Sequence, residues 1–272
     1  MEKYFVGNHA HSLVPSGKRW KLVWHDEFDG DTLDESKWGF RRNFWGKPFE
    51  TFTNEGVVLD GNSNLKLYLT ERDGHFYSPQ LQTGSNSFDN PKEMKDHFWP
   101  LGRIEKPKFM HKYGYYEICC KLQEQPGWWS AFWLQSPYYG TRWDPKECGV
   151  EVDIMENFER NGEVTSGIIW NGYGEMFKEG GRISFQIEET EDGYHLFGVE
   201  WSKDGYVFYA DGKEPCRVDG PVSDVEQFIL VSTECMGYRS SGKPSPKLKD
   251  AVLPDCFTVD FVRVFDEIDN SR

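Results

Sequence analysis

Short stretches in which apolar and polar residues alternate recur along most of the chain, and turn-forming residues separate them. Alternation with a period of two indicates β-strands that bury one face, whereas the spacing typical of amphipathic helices is almost absent. Many short strands at close spacing predict an antiparallel sandwich or barrel. The predicted strands cover residues 21–24, 56–59, 65–70, 113–122, 130–135, 150–158, 164–170, 182–187, 194–201, 206–210, 228–233 and 257–265.

The same pattern predicts one domain. Residues 1–19 lack the alternation and are expected to form an irregular N-terminal arm, ahead of a single domain over residues 20–267 and a C-terminal tail over residues 268–272. No repeat, low-complexity segment or linker interrupts the domain. Residues 80–100 and 138–148 are predicted to be long loops, and long loops often carry function.

Composition adds a preference for flat ligands and argues against two classes of partner. The 272 residues are enough to bury a core. Aromatic residues make up 16% of the chain and include 11 tryptophans, which suggests a surface on which flat ligands stack as well as a core. The net charge of −14 argues against nucleic acid and against an anionic membrane as main partners. No apolar run is long enough for a transmembrane helix, and we expect a monomer.

The chain start and the cysteines bear on the compartment. The residues after Met1 lack the apolar segment of a secretory signal, so we expect a cytoplasmic protein if the chain is complete and a secreted one if a leader was removed. No CxxC spacing appears, and the sequence does not indicate a zinc site. We interpret the six cysteines as free buried thiols, in agreement with a reducing compartment. They are Cys119, Cys120, Cys148, Cys216, Cys235 and Cys256.

Three carboxylates stand close together in one predicted strand, at Glu151, Asp153 and Glu156. A period of two puts Glu151 and Asp153 on one face, and strict alternation would turn Glu156 to the other. A β-bulge near Ile154 and Met155 would return Glu156 to the face of the other two acids. Three neighbouring carboxylates repel one another and raise at least one pKa, which an ordinary solvated strand has no reason to tolerate.

This cluster suits the hydrolysis of a glycosidic bond. Two carboxylates that flank the bond can act as nucleophile and general acid, and a separation of about 5–5.5 Å supports a retaining mechanism. On a concave sheet Glu151 and Glu156 can lean inward toward that separation, and Asp153 between them can share a proton. A calcium site and a solvated face stay open as alternatives on spacing alone, although calcium sites usually lie in flexible loops.

Residues 151–156 also resemble the E-x-D-x-x-E signature of glycoside hydrolase family 16. The resemblance covers residues 20–267 and implies an all-β jelly roll of two curved antiparallel sheets with a concave substrate cleft. It also implies that Glu151 is the nucleophile, that Glu156 is the acid/base, and that Asp153 assists by orienting Glu151. Further matches follow in the family's order at residues 24–30, 57–62, 113–117, 127–134, 194–201, 208–212 and 259–265.

The resemblance implies a substrate-binding surface beside these acids. Alternation places Trp129, Ala131 and Trp133 on one face, where the family's tryptophans stack on sugar rings; packing in the core is the alternative. Trp170 stands where many members have histidine, and we expect it to add a stacking surface. Glu234 stands where an apolar or amide residue is common. If it faces the cleft, it would bind sugar hydroxyls and repel sulfate esters, which favours a neutral glycan.

Four other residues are candidates for binding a sugar or a metal ion. Asn54 matches a position that often contacts sugar, with a turn-forming role as the alternative, and Arg103 is a further candidate for the cleft. Glu27 and Asp260 match positions at which family members bind one structural calcium, whereas buried salt bridges or solvent exposure would explain them equally well. No cofactor is expected for catalysis.

The leading hypothesis is therefore a retaining endo-β-glycanase that hydrolyses a β-1,3-linked polysaccharide, such as laminarin-type glucan, by double displacement. An endo-β-galactanase of the agarase or porphyranase type is the alternative of the same class. A lectin-like carbohydrate-binding protein on the same scaffold is the alternative of another class. Transglycosylation stays open, because a retaining intermediate can pass to a sugar acceptor as readily as to water.

Overall fold

Strands and loops build nearly all of the structure, which is a computed structural model that describes residues 1–44, 46–87, 103–159 and 161–268. The last part of the predicted loop 80–100 lies outside the described residues. Three single-turn helices are present in these ranges, namely α1 (Pro145–Cys148), α2 (Tyr238–Ser241) and α3 (Pro246–Lys249). None of the helices in the described chain is long and apolar enough to cross a membrane.

The first half of the chain contributes short strands and three longer ones. These are β1 (Glu2–Tyr4), β2 (Ser12–Val14), β3 (Arg19–Asp26), β4 (Gly39–Phe40), β5 (Asn43–Phe44), β6 (Lys47–Pro48), β7 (Phe52–Thr53), β8 (Val57–Leu59), β9 (Leu65–Arg72) and β10 (His75–Gln82).

The second half contributes the longer strands. These are β11 (Gly114–Lys121), β12 (Trp128–Gln135), β13 (Glu151–Asn157), β14 (Glu163–Trp170), β15 (Lys178–Gln186), β16 (His195–Ser202), β17 (Gly205–Ala210), β18 (Lys213–Val218), β19 (Phe228–Cys235) and β20 (Asp255–Ile268).

Most strands join one long, almost entirely antiparallel sheet. Its order is β15-β14-β13-β12-β19-β10-β9-β20-β11-β16-β17-β18, with β3, β4, β7 and β8 attached at the sides. The sheet folds back on itself, so that the part from β15 to β10 faces the part from β9 to β18. This arrangement confirms the predicted jelly roll of two curved antiparallel layers.

The main core lies between these two layers. Phe132 and Val152 from one layer belong to the same fully buried cluster as Ile118 and Phe197 from the other. Burial of these apolar faces is the chief favourable contribution to folding. The opposite face of β10, β12, β13 and β19 is therefore free to carry polar and aromatic side chains.

The N-terminal segment is more ordered than the sequence predicts. Residues 1–14 include the antiparallel pair β1–β2, and the Tyr4 ring packs edge-on against Phe265 at 5.0 Å. The backbone N–H of Leu13 donates a hydrogen bond to Glu117 at 2.9 Å. The expectation of an irregular arm was wrong, because the hairpin finds both an apolar surface and a hydrogen-bond acceptor on the domain.

All six cysteines are free thiols, and four of them are buried. Burial raises the pKa of the Cys235 thiol to about 12, so that this thiol stays protonated and unreactive at neutral pH.

Candidate active site

A β-bulge in β13 sets the direction of its acidic side chains. In the β12–β13 pair Ala131 lies opposite Glu156, whereas Trp133 lies opposite Asp153. One residue separates Ala131 from Trp133 in β12, whereas two residues separate Asp153 from Glu156 in β13. Strand β13 therefore carries one extra residue. The pairing of β13 with β14 shows the same shift between Asp153 and Glu156.

The extra residue changes which side chains enter the core. Ile154 and Met155 are adjacent, yet both are buried in the main core. Glu156 consequently returns to the face that Glu151 and Asp153 occupy, as a bulge allows. The predicted bulge is thus present at the predicted place.

All three carboxylates line one cavity on the concave face of the sheet. Its floor also contains Trp129, Ala131 and Trp133 from β12 and Ser232 and Glu234 from β19. The cavity therefore brings together six of the predicted site residues: Glu151, Asp153, Glu156, Trp129, Trp133 and Glu234.

Glu151 is held by two polar side chains. Gln135 Nε2 donates to Glu151 Oε2 at 2.5 Å, and the Tyr173 hydroxyl donates to the same oxygen. Gln135 Nε2 also lies 2.7 Å from the Tyr173 hydroxyl oxygen. Burial, together with the charge of Glu156, raises the pKa of Glu151 to about 7 against the opposing effect of the hydrogen bonds from Tyr173 and Gln135. Both donors stabilise the carboxylate form and fix its orientation.

Arg182 of β15 bridges the other two acids. Its Nη1 donates to Asp153 Oδ2 at 2.8 Å and its Nη2 donates to Glu156 Oε2 at 2.6 Å. Burial raises the pKa of Asp153 well above its ordinary value, and the charges of Glu156 and Glu151 add to this rise. Burial also raises the pKa of Glu156, and Arg182 opposes that rise.

The three acids therefore titrate as one group. Burial and mutual repulsion disfavour the state in which all three are ionised, so the cluster retains a proton near neutral pH. A cluster that holds one carboxylate beside one protonated acid can supply a nucleophile and a proton donor at the same time.

The two tryptophans of β12 form part of the cavity floor. Trp133 is oriented by a hydrogen bond from its Nε1 to Ser232 Oγ at 2.9 Å, and the Arg41 guanidinium lies 5.7 Å from its ring centroid. Trp129 packs against Phe158 at 5.8 Å. The alternation that the sequence predicts for this strand is confirmed, because Trp128 on the opposite face is completely buried.

Glu234 lines the cavity but is not an isolated negative charge. Arg239 forms a salt bridge with its Oε2, and Gln80 Nε2 lies 3.4 Å from the same oxygen. The carboxylate is almost completely buried, at 2% exposure. Because Arg239 compensates the charge, the structure does not support the expected repulsion of sulfate esters by Glu234.

Trp170 lies outside the cavity. Its neighbour Ile169 is the residue opposite Glu151, so Trp170 turns to the other face of the sheet and packs against the main core. A Cβ on Gly180 would lie 3.2 Å from its ring. The structure therefore does not support the predicted position of Trp170 in the cleft wall.

Asn54 and Arg103 also lie apart from the acids. Asn54 is exposed, and its Oδ1 accepts a hydrogen bond from Arg42 Nη1 at 2.8 Å. Arg103 is exposed and does not line the cavity. The turn-forming alternative for Asn54 agrees with this position better than contact with a sugar at the acidic centre.

The donors at Glu27 and Asp260 fit a calcium ion poorly. Arg263 donates from Nε to Glu27 Oε1 at 2.9 Å and from Nη2 to Glu27 Oε2 at 2.6 Å. Both carboxylate oxygens of Glu27 are thus occupied by a buried guanidinium. Within the described ranges, no group of three or more His, Cys, Asp or Glu side chains is placed to hold a metal ion. The salt-bridge alternative accounts for Glu27.

Several residues of the site have no signal in the sequence. Gln135 and Tyr173 contact Glu151, Arg182 contacts the other two acids, and Arg41 and Arg239 line the cavity. Alternation identifies the inward face of a strand, but it does not reveal which distant side chains meet there.

Comparison with known proteins agrees with this geometry. The family model described as glycosyl hydrolases family 16 matches residues 46–228, which is more than half of the chain. The chain belongs to glycosyl hydrolase family 16. It is therefore a glycoside hydrolase, and the resemblance that the E-x-D-x-x-E segment implies is confirmed.

Two curated relatives illustrate the range of this family. Glucan endo-1,3-beta-glucosidase A1 of Niallia circulans is 28% identical to this chain. The match covers 90% of this chain and 38% of the length of that relative. Beta-porphyranase B of Zobellia galactanivorans is 25% identical to this chain, and the match covers 85% of this chain and 78% of the porphyranase.

A solved structure shows the same fold. The catalytic domain of an endo-1,3-beta-glucanase (laminarinase) from Thermotoga petrophila superposes with a TM-score of 0.68 and 23% identity, covering 93% of this chain and all of that one. This similarity independently supports the jelly-roll architecture.

Proposed function

We propose that the chain is a retaining endo-β-glycanase that hydrolyses a β-1,3-linked polysaccharide of the laminarin type. The observation that carries the proposal is the joint placement of Glu151, Asp153 and Glu156 in one buried cavity beside Trp129 and Trp133. The 28% identity to a glucan endo-1,3-beta-glucosidase supports the choice of linkage.

In the first step of the proposed reaction, a carboxylate oxygen of Glu151 attacks the anomeric carbon. The glycosidic C–O bond breaks, and Glu156 transfers its proton to the leaving oxygen. The product is a glycosyl ester of Glu151. Tyr173 and Gln135 orient Glu151 for this attack, because both donate to a single oxygen, Oε2, and leave Oε1 for the new bond.

In the second step Glu156, now a carboxylate, removes a proton from water. The water oxygen attacks the anomeric carbon, the ester bond breaks, and its electron pair returns to Glu151. Two inversions give net retention of configuration. Side chains and water supply every proton and electron pair in both steps, so we propose that catalysis uses no cofactor.

Asp153 has an electrostatic role in this proposal. It lies between the two glutamates and, together with Glu156, contacts Arg182. A proton shared within the cluster allows Glu156 to lose and regain charge without two full negative charges meeting in the buried site.

The tryptophans would position the polysaccharide. Sugar rings have apolar faces that pack on indole rings, and Trp129 and Trp133 lie on the strand next to the acids. The hydrogen bond from Trp133 to Ser232 keeps its ring fixed, which reduces the entropy lost on binding.

An endo-β-galactanase of the porphyranase type is the second candidate. Two arginines, Arg41 and Arg239, line the cavity, and Arg239 compensates the charge of Glu234. The similarity to a beta-porphyranase supports the same alternative. An anionic galactan is therefore included in the test.

A substrate screen tests the proposal. The protein is incubated with laminarin, lichenan, agarose, porphyran and mucin-type glycans, and the products are separated by chromatography, with the Glu151→Gln variant as control. Short oligosaccharides from laminarin that the variant fails to release would support the β-1,3-glucanase. Cleavage of agarose or porphyran alone would favour the galactanase, and binding without cleavage of any glycan would favour a lectin.

A further inference from the structure

Arg182 contacts two of the three acids from a strand that is not their neighbour. It belongs to β15, and β14 lies between β15 and β13. Its two contacts, at 2.8 Å to Asp153 and 2.6 Å to Glu156, use separate nitrogens of one guanidinium. Arg182 is 24% exposed, and the acids are 4% and 14% exposed.

A glycine opens the path across β14. Gly167 lies opposite Asp153, and the β14–β15 register shifts between Ser166 and Ile168. A Cβ at Gly167 would stand 2.6 Å from Arg182 Cα. Because glycine has no side chain, the backbone of β15 approaches closely here and the arginine reaches over the intervening strand.

We infer that Arg182 is a positioning residue of the acidic centre: its guanidinium fixes the spacing of Asp153 and Glu156 and keeps one positive charge beside the acid/base. A planar guanidinium presents several donors in a fixed geometry, whereas a lysine ammonium is a single flexible point charge. This inference rests on the proposed function, in which Glu156 is the acid/base.

The charges around Glu156 define the electrical effect of Arg182. Glu151 and Asp153 on β13 are the acids beside it, and both Arg182 and Arg239, the latter from α2, counter its negative charge. A carboxylate oxygen of Glu179 of β15 lies 3.9 Å from Arg182 Nε. Because Glu179 is 51% exposed, solvent screens its charge, and it reduces the effect of the Arg182 charge on Glu156 only slightly. Of the two arginines, Arg182 opposes the rise in the pKa of Glu156 more strongly.

Both steps of the reaction depend on this balance. Glu156 must carry a proton to release the leaving group, and it must have lost that proton to activate water. Without Arg182, only the weaker effect of Arg239 would oppose burial and the neighbouring acids, and Glu156 would retain its proton at neutral pH. The second step would then lack a base.

Kinetics of two variants test the inference on whichever glycan the wild-type protein hydrolyses. In Arg182→Met the alkaline limb of the kcat/KM profile should move up by about 1–3 pH units, since a neighbouring opposite charge shifts a pKa by about that much. At pH 7 kcat should fall by more than KM changes. Arg182→Lys should recover part of the shift, whereas Arg142→Met, which removes a 62% exposed arginine, should match the wild type.

A titration that needs no substrate separates this inference from the proposed function. The glutamate side chains are labelled with ¹³C, and the Glu156 carboxyl resonance is assigned by its absence in Glu156→Gln. The pKa of Glu156 should be higher in Arg182→Met than in the wild type and intermediate in Arg182→Lys. If Arg182→Met does not fold, the comparison of Arg182→Lys with the wild type decides the question.

The outcomes are distinct. An unchanged pKa of Glu156 together with unchanged limbs would overturn the role of Arg182, whether or not the enzyme is a β-1,3-glucanase. A wild-type protein that hydrolyses no glycan would overturn the proposed function, while the titration would still measure the effect of Arg182 on Glu156.

Discussion

Asp153 and Glu156 lie three residues apart on one strand, yet both line the same cavity. A regular strand would turn residues at this spacing to opposite faces. The bulge between them corrects the direction, and it sends Ile154 and Met155 together into the core. The geometry of the acidic centre and the packing of the core therefore depend on the same extra residue.

The nucleophile and the acid/base should respond differently to removal. Glu151→Gln should reduce turnover by about 10⁴-fold or more, because no carboxylate remains to form the ester. Glu156→Ala should lose activity on polysaccharide but regain turnover of an activated aryl β-glycoside when azide is added, since azide needs no base. Rates and the anomeric form of the glycosyl azide are measured. Azide rescue of Glu151→Gln with a β-glycosyl azide product would reverse the two assignments.

Tyr173 should affect the reaction through Glu151. Its hydroxyl donates to the Glu151 carboxylate, and its side chain is half-buried. In Tyr173→Phe the acidic limb of the kcat/KM profile should move to higher pH, because the ionised form of Glu151 loses a donor. A hydrogen bond to a charged group is worth about 1.5–3 kcal/mol, so kcat/KM should fall by about 10- to 100-fold. A wild-type profile in this variant would show that Tyr173 only fills space.

Trp129 and Trp170 should give opposite results on substitution by alanine. Trp129→Ala should raise KM several-fold with little effect on the unfolding temperature, because Trp129 lines the cavity. Trp170→Ala should leave KM unchanged and lower the free energy of unfolding by about 2 kcal/mol, less than the usual cost for a completely buried aromatic residue. Thermal unfolding and steady-state kinetics of both variants are compared. An increase in KM for Trp170→Ala would show that Trp170 contacts the substrate in the cleft.

Glu117 should make stability depend on pH. It is completely buried beneath the N-terminal hairpin, where Leu13 N–H and the Tyr115 hydroxyl donate to its Oε1. Burial raises the pKa of Glu117 to about 7. Between about pH 4.5, the ordinary pKa of this side chain, and about pH 7, the folded protein therefore keeps a proton on Glu117 that the unfolded chain releases.

The direction in which stability changes with pH follows from this difference in the pKa of Glu117 between the folded and unfolded states. The contribution of Glu117 to stability is fully present below about pH 4.5 and is lost as the pH rises to about 7. Glu117→Gln keeps an acceptor oxygen and has no charge, so at pH 8 it should be more stable than the wild type by on the order of 2–3 kcal/mol. Denaturant unfolding at pH 5 and pH 8 measures the difference. Equal differences at the two pH values would contradict a raised pKa.

Alternation predicts strands best where one face is buried and the other is not, as in β12 and β13. It does not predict β10, because Pro79 argues against a central strand. In the structure Pro79 lies in the short parallel pair with Thr53 of β7, and the antiparallel pairing with β19 begins only at Gln80. The proline thus occupies a position where the strand changes partner.

The acids of the site could be predicted from the sequence because they are close together in it. Arg182 could not, since it lies 29 residues from Asp153 and reaches it only through the packing of three strands. The prediction for Trp170 was wrong for a local reason. Which face of the sheet Trp170 occupies depends on how β14 pairs with β13, where Ile169 lies opposite Glu151, and one sequence does not reveal this register. Local pattern therefore identifies the reacting groups, and tertiary contacts supply the groups that tune them.

The stereochemistry of the first product tests the central claim most directly. Laminarin is mixed with the protein in an NMR tube, and the anomeric protons of the new reducing ends are recorded before mutarotation proceeds. Attack by Glu151 followed by attack by water should give the β-anomer first, with the α-anomer appearing later. Initial release of the α-anomer would mean a single displacement by water and would contradict a covalent intermediate on Glu151.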